Sequence, residues 1–204
     1  MSGILITAFE PFGGDSINPS KEVLEAFPDT LYGRKVLKTV LPVIYDQSFE
    51  RLLPLIEEHD PEVILLTGYA KGRSHVTVER IGINVCDSSA PDALGNVLSN
   101  RPIVKGGADG LFSTLPLSSL EKRYKERFLP AKLSNSAGAY VCNNLLYRTL
   151  HHIKRQGLET RVGFVHLPAL PSQAFKEAIP SMSKSLMTEV LIQTLDTILS
   201  PINV

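Results

Sequence analysis

Short apolar runs of strand length alternate with longer stretches of helical period from one end of the sequence to the other. A chain patterned this way is driven to cover a mostly parallel sheet with helices, because its strands must bury apolar side chains on both faces. Residues 4–8, Ile-Leu-Ile-Thr-Ala, read as a buried first strand. Asn18-Pro19 supplies a capping side chain followed by an N1 proline, so a helix is expected from there through Phe27. Residues 36–43 read as the next strand, and Asp46 is placed to cap a helix with Phe49, Leu52, Leu53 and Ile56 on one face. Pro54 should kink or split that helix. Residues 63–67 form a further strand, and residues 76–86 make the longest period-2 segment. Residues 88–116, rich in Pro, Gly, Asp and Asn, show no period and read as a long excursion around the edge of the domain. Ser118 is positioned to cap a helix running to Phe128, whose charges are balanced in sign and suit a solvated face. Val141, Leu145, Thr149 and Ile153 recur every four residues on a helix that Gly157 ends. Residues 162–167 make a strand stopped by Pro168, and residues 172–198 read as helical with a break near Pro180.

The expected fold class is therefore α/β, in one domain spanning residues 1–204: a chain of 204 residues is long enough to bury about 70% of its unfolded surface in one core. Charge then removes whole classes of function. With 21 basic and 21 acidic side chains the formal net charge is zero, which leaves no electrostatic footprint for nucleic acid or anionic membrane surfaces. The N-terminal apolar run is short, lacks preceding Lys or Arg and is soon followed by Glu10, so neither a signal peptide nor a spanning helix is expected and the location should be cytoplasmic. Two cysteines make no disulfide framework, and each has to be judged separately.

Three residues stand in places where chemistry is done. If residues 76–86 were one strand, Thr77, Glu79, Ile81, Ile83 and Val85 would share a face, an expensive setting for a carboxylate without a hydrogen-bonded partner. A His on a neighbouring strand or a salt bridge to Arg would each satisfy it. Cys142 follows the small residues 134–139 and lies in the first turn of its helix, where N–H groups and the helix dipole stabilise a thiolate and an oxyanion; a thiol packed like Ala is the alternative. Cys86 lacks such a setting. His166 ends a strand just before Pro168, at the sheet edge where open α/β folds place their sites, and is otherwise a structural histidine. His151 and His152 are adjacent and diverge by about 100° on a helix, while His59 and His75 have no ligand-spaced companion, so no metal is expected. The first loop, residues 9–14, lacks the lysine and spaced glycines of a nucleotide cradle, so no cofactor is expected; its Phe9 and Phe12 are either core or pocket wall.

Four stretches in order, Thr7-Ala8-Phe9-Glu10-Pro11-Phe12-Gly13-Gly14 with Asn18-Pro19-Ser20, Thr77-Val78-Glu79-Arg80-Ile81, Ser136-Ala137-Gly138-Ala139-Tyr140-Val141-Cys142-Asn143, and Gly163-Phe164-Val165-His166-Leu167-Pro168, resemble the pyroglutamyl peptidase I family of cysteine peptidases over nearly the whole chain. The resemblance implies a three-layer α/β/α sandwich like that of purine nucleoside phosphorylases, removal of N-terminal pyroglutamate from peptides, and a homo-oligomer, dimer or tetramer. It implies catalytic roles for Glu79, Cys142 and His166, and substrate-binding roles for Phe9, Phe12, Asn18 and Tyr69. Two departures from the family's pattern go with it: Tyr69 where Gln or an aliphatic residue is usual, and Ser89 where the family has an arginine, which Arg73 or Arg80 would have to replace. The shared architecture keeps a phosphorylase-like transferase in view, and the two departures keep a silent binder of pyroglutamyl peptides.

Overall fold

The computed structural model describes residues 3–175 and 177–200. Its central sheet contains β1 (Ile4–Phe9), β2 (Thr30–Leu31), β3 (Arg34–Leu41), β4 (Val63–Tyr69), β5 (Val76–Glu79), β10 (Ala131–Ser134) and β11 (Arg161–Leu167), in the order β10-β5-β11-β4-β1-β3-β2. Pairing is parallel except for β5 against β11 and β2 against β3. Two small antiparallel pairs stand apart: β6 (Ile81–Ile83) with β9 (Gly110–Phe112), and β7 (Cys86–Ser88) with β8 (Leu98–Arg101).

Helices α1 (Pro19–Ala26), α3 (Leu117–Glu126) and α6 (Lys184–Leu199) bury Val23, Leu120 and Leu195 against Ile4, Ile6 and Leu65 on one face of the sheet. Helices α2 (Gln47–His59) and α4 (Val141–Gln156) bury Leu52, Ile56, Leu145 and Ile153 against Leu5, Ile64, Leu66 and Phe164 on the other. A short α5 (Pro171–Ala174) follows β11. The result is a three-layer α/β/α sandwich. On α4 the i+4 stripe Val141, Leu145, Thr149 and Ile153 is buried as the spacing predicts. Each buried apolar side chain of this size contributes about 1.5–3 kcal/mol. That stripe therefore fixes the rotation of α4 and with it the direction of Cys142, one residue beyond Val141.

Several expectations are corrected. Residues 76–86 are not one strand: the chain leaves the sheet at Arg80, and Ile81–Ile83 pairs with β9 instead. Glu79 does not share a strand face with Ile81, Ile83 and Val85, so the apolar setting of its carboxylate comes from β11. Residues 88–116 carry the short strands β8 and β9 and are held by side-chain to backbone hydrogen bonds that leave no periodic signature. Asp92 accepts from the backbone of Leu94 and Asn96, and the Asn84 side chain brackets Val104. Pro54 lies within a continuous α2; the carbonyl it leaves without a helix partner belongs to Glu50, an exposed residue. Asp46 occupies the N-cap position of α2 without a side-chain cap bond; its carboxylate is taken by Asn144 and Arg148. Pro116, not Ser118, precedes α3. Residues 175–183 are not helical where described; Ser181 bridges to Ala169, and Ser183 caps α6. Lys176, in the same expected helix, lies outside the described residues.

Candidate active site

The antiparallel seam between β5 and β11 sets Phe164 opposite Glu79 and His166 opposite Thr77. Strand alternation sends these four side chains to the sheet face covered by α4. Glu79 is 0% and His166 4% exposed. His166 Nδ1 and Glu79 Oε1 are 2.8 Å apart. An ionised carboxylate only accepts, so Nδ1 carries the proton and Nε2 keeps the lone pair. Arg73 Nη1 reaches the same Glu79 oxygen at 2.6 Å and also donates to Thr77 Oγ1. Both partners foreseen for Glu79 are thus present together.

Cys142 is the second residue of α4, after the left-handed Gly138 (φ +79°) and a Tyr140 N-cap that makes no side-chain cap bond. The first-turn N–H groups are therefore left without a side-chain cap, a setting in which an oxyanion can be held. The thiol lies over Gly68 of β4, the residue paired with His166 across the parallel ladder. A methyl group on Gly68 would stand 3.2 Å from Cys142 Sγ and 2.8 Å from Phe164 Cζ. Gly68→Ala should therefore lower stability by about 1–3 kcal/mol through overpacking and cut kcat by about 10^2 through displacement of the thiol. A thermal melt read beside steady-state kinetics checks both, and an unperturbed variant would mean that the contact is soft.

The electrostatics of the three groups are coupled. Burial pushes the Cys142 thiol up to about 12, and the Glu79 charge adds to this against the opposing pull of Arg73 and the cysteine's own N–H. Burial also lowers the His166 value, outweighing its bond to Glu79. Burial alone would raise the Glu79 carboxyl, but the hydrogen bond from His166, the neighbouring Ser134 hydroxyl and the charges of His166 and Arg73 bring it below its ordinary value. Burial thus favours the uncharged forms of the thiol and the imidazole, while its partners favour the Glu79 carboxylate. Loss of water around the sulfur works against the helix start, so burial and helix position pull the Cys142 thiol in opposite directions.

Phe9 is buried and tilted against Phe164 at 6.5 Å, and Phe164 stands 4.6 Å from the His166 ring. Phe12 is half-buried against Tyr140 at 6.2 Å, and Tyr140 meets Tyr45 edge-on at 5.5 Å. Asn18 caps α1 through Ser20 and donates to the Glu10 carbonyl, so its amide is occupied in bracing the first loop. Tyr69 has the opposite strand parity to Gly68 and leaves the thiol's face, lining a cavity of about 300 Å³ with Asp15, Lys71 and Glu177. Ser89 is exposed on a loop tied to Tyr140 through its hydroxyl bond to the Pro91 carbonyl. Of the two arginines that could stand in for a cation at position 89, Arg73 pairs with Glu79 and Arg80 bonds Asn135.

Sequence reasoning missed Gly68, Asn143 and Asn144. Asn143 clamps the Ile83–Val85 backbone to the first turn of α4 through three hydrogen bonds, and Asn144 ties the same turn to Asp46. The available signal was a pair of asparagines in a helix interior, where their propensity is poor and burial demands partners. Cys86 is buried with its thiol value raised by burial, which makes it unreactive. Among the described residues no group of three His, Cys, Asp or Glu side chains is arranged to hold a metal ion.

A thiol at a helix start, an imidazole and a buried carboxylate on an α/β/α sandwich make up the constellation of a thiol hydrolase. The chain belongs to the pyroglutamyl peptidase family, whose model matches residues 2–200. It is similar to the pyrrolidone-carboxylate peptidase of Thermococcus onnurineus, at 44% identity over 94% of this chain and 97% of that one. The Lactobacillus helveticus protein of the same name is 40% identical over 95% and 97%. Among solved structures, pyroglutamyl peptidase I from Bacillus amyloliquefaciens superposes with a TM-score of 0.91 at 32% identity, covering 97% of this chain and 95% of that one. Pyrrolidone carboxyl peptidase from Pyrococcus furiosus gives 0.92 at 36%, covering 97% and 98%.

Proposed function

We propose that the chain is a cysteine exopeptidase that removes N-terminal pyroglutamate from peptides, with Cys142 as nucleophile, His166 as general base and acid, and Glu79 as the group that orients the imidazole. The observation that carries this reading is the 2.8 Å bond from His166 Nδ1 to the buried Glu79, which turns Nε2 into a proton acceptor on the face where Cys142 lies. The Cys142 proton passes to His166 Nε2 as sulfur attacks the pyroglutamyl carbonyl, and first-turn N–H groups of α4 hold the oxyanion. Collapse breaks the C–N bond while the imidazolium protonates the leaving amine. Water then attacks the thioester and gives its proton to His166; the S–C bond breaks, and the thiol is restored. A lactam is neutral, so aromatic walls from Phe9, Phe12 and Tyr140 suit it.

The rise of the Cys142 thiol on burial has a pH consequence. Inactivation by iodoacetamide should be slow at neutral pH and keep rising through alkaline pH, because the thiolate fraction grows until the thiol's own value is reached. Release of a fluorogenic amine from pyroglutamyl, prolyl and glutaminyl amides, before and after alkylation, tests the function itself. Pyroglutamyl amide should be preferred by about 10^3 or more, since the other two would bury an unpaired ammonium. Equal kcat/KM for all three, or turnover that survives complete alkylation, would sink the reading.

A reduced thiol suits the cytoplasm, and no helix among the described residues is long and apolar enough to cross a membrane. The exposed Phe112 and Phe128 are consistent with a homo-oligomer, dimer or tetramer, which light scattering would measure.

A further inference from the structure

Arg73 is not among the residues that the cysteine–histidine–carboxylate reading needs, yet it is built into the same cluster from outside. Its Nη1 binds the Glu79 oxygen that holds His166 and donates to Thr77 Oγ1, while Nη2 donates to the Ser136 carbonyl at 3.3 Å, in the loop leading to Cys142. One planar guanidinium therefore joins β5 to the segment before α4, a geometry a point-charge ammonium reproduces poorly. The other side of Arg73, with 28% of its side chain exposed, lines an open cleft of about 450 Å³ together with His75, Lys132 and Ser134.

We propose that Arg73 is a positioning residue for the proposed catalytic cluster: through a single shared oxygen it keeps Glu79 ionised and aimed at His166, and it sets the charge felt by Glu79, His166 and Cys142 together. This rests on the peptidase reading above. The groups facing Glu79 are Arg73 from the loop before β5, Thr77 from β5 itself, His166 from β11 and Ser134 from β10. Lys132 and His75 stand at the cleft, and Arg80 points away to Asn135. Arg73 is thus the one permanent cation in direct contact with Glu79 among the described residues. Its positive charge pulls down the values of Glu79, His166 and Cys142 alike. Removing it must move all three in the same direction, upward.

The test is Arg73→Gln, Arg73→Lys and Arg73→Ala assayed on a pyroglutamyl amide across pH, with Cys142→Ala alongside. Arg73→Gln should lower kcat by about 10^2 with KM little changed, and both limbs of the kcat/KM profile should move to higher pH, the acid limb by about one unit. Arg73→Lys should keep the profile in place while losing part of kcat. Because the cleft opens onto the guanidinium site, guanidinium ion at a non-denaturing concentration should restore part of the activity of Arg73→Ala and leave wild type unaffected. A purely structural arginine would lower the melting temperature and the active fraction without moving the profile. An unmoved profile in Arg73→Gln, or no rescue of a folded Arg73→Ala, overturns the proposal. Turnover surviving in Cys142→Ala would instead overturn the peptidase reading on which it rests.

Discussion

Cys142→Ala should abolish turnover of a pyroglutamyl amide, with kcat reduced on the order of 10^6, because a nucleophile in an interdependent set costs about as much to remove as the whole set. The substitution deletes one sulfur atom over Gly68 and leaves the Val141–Leu145–Ile153 stripe intact, so the fold should persist. Mass spectrometry after a denaturing quench adds a second reading, since a pyroglutamyl adduct should form on the wild type and be missing from the variant. Cys86→Ala is the matched control. That thiol is 2% exposed and touches Asn144 Nδ2 at 3.5 Å, so the change should cost about 1–2 kcal/mol of stability while most activity remains. An inactive, folded Cys86→Ala together with an active Cys142→Ala would reverse the assignment.

Glu79→Gln should slow catalysis by about 10^2 to 10^4 while the protein still folds. The amide can donate to His166 Nδ1, which moves the ring proton to Nε2 and removes the acceptor that the Cys142 proton needs. It also leaves the imidazolium without an opposing charge. Arg73 is partly exposed and can turn to water, so the lost ion pair should lower the melting temperature only moderately. The depressed Glu79 and His166 values give acid stability a sign. The Glu79 share is present above its unfolded value and is lost as pH falls through the folded one, so below the ordinary carboxylate range wild type should lose stability that Glu79→Gln, lacking this titration, keeps; the His166 share is lost more steeply in Glu79→Gln, whose imidazole has no carboxylate to hold its value up. Unchanged kcat with a lowered melting temperature would mean that Glu79 serves Arg73 alone.

Much of this was written locally. Strands β1, β4 and β11, the Asn18-Pro19 start of α1 and the apolar stripe of α4 follow from apolar runs, capping chemistry and a 3.6-residue period, which act within a few residues. The position of Cys142 at a helix start and of His166 at a strand end was legible for the same reason. Glu79 was singled out by a parity count over a strand that in fact breaks at Arg80, so the residue was found while the cause of its burial was not. What local pattern could not carry is the pairing of distant segments. Only the antiparallel β5–β11 seam brings Glu79 to His166 across 87 positions, and only the β4–β11 register lays Gly68 beneath the thiol. The same packing draws water away from Cys142 and opposes the lowering that a helix start favours, because the desolvation of a sulfur depends on every element packed around it, whereas a helix start is fixed by its own few residues.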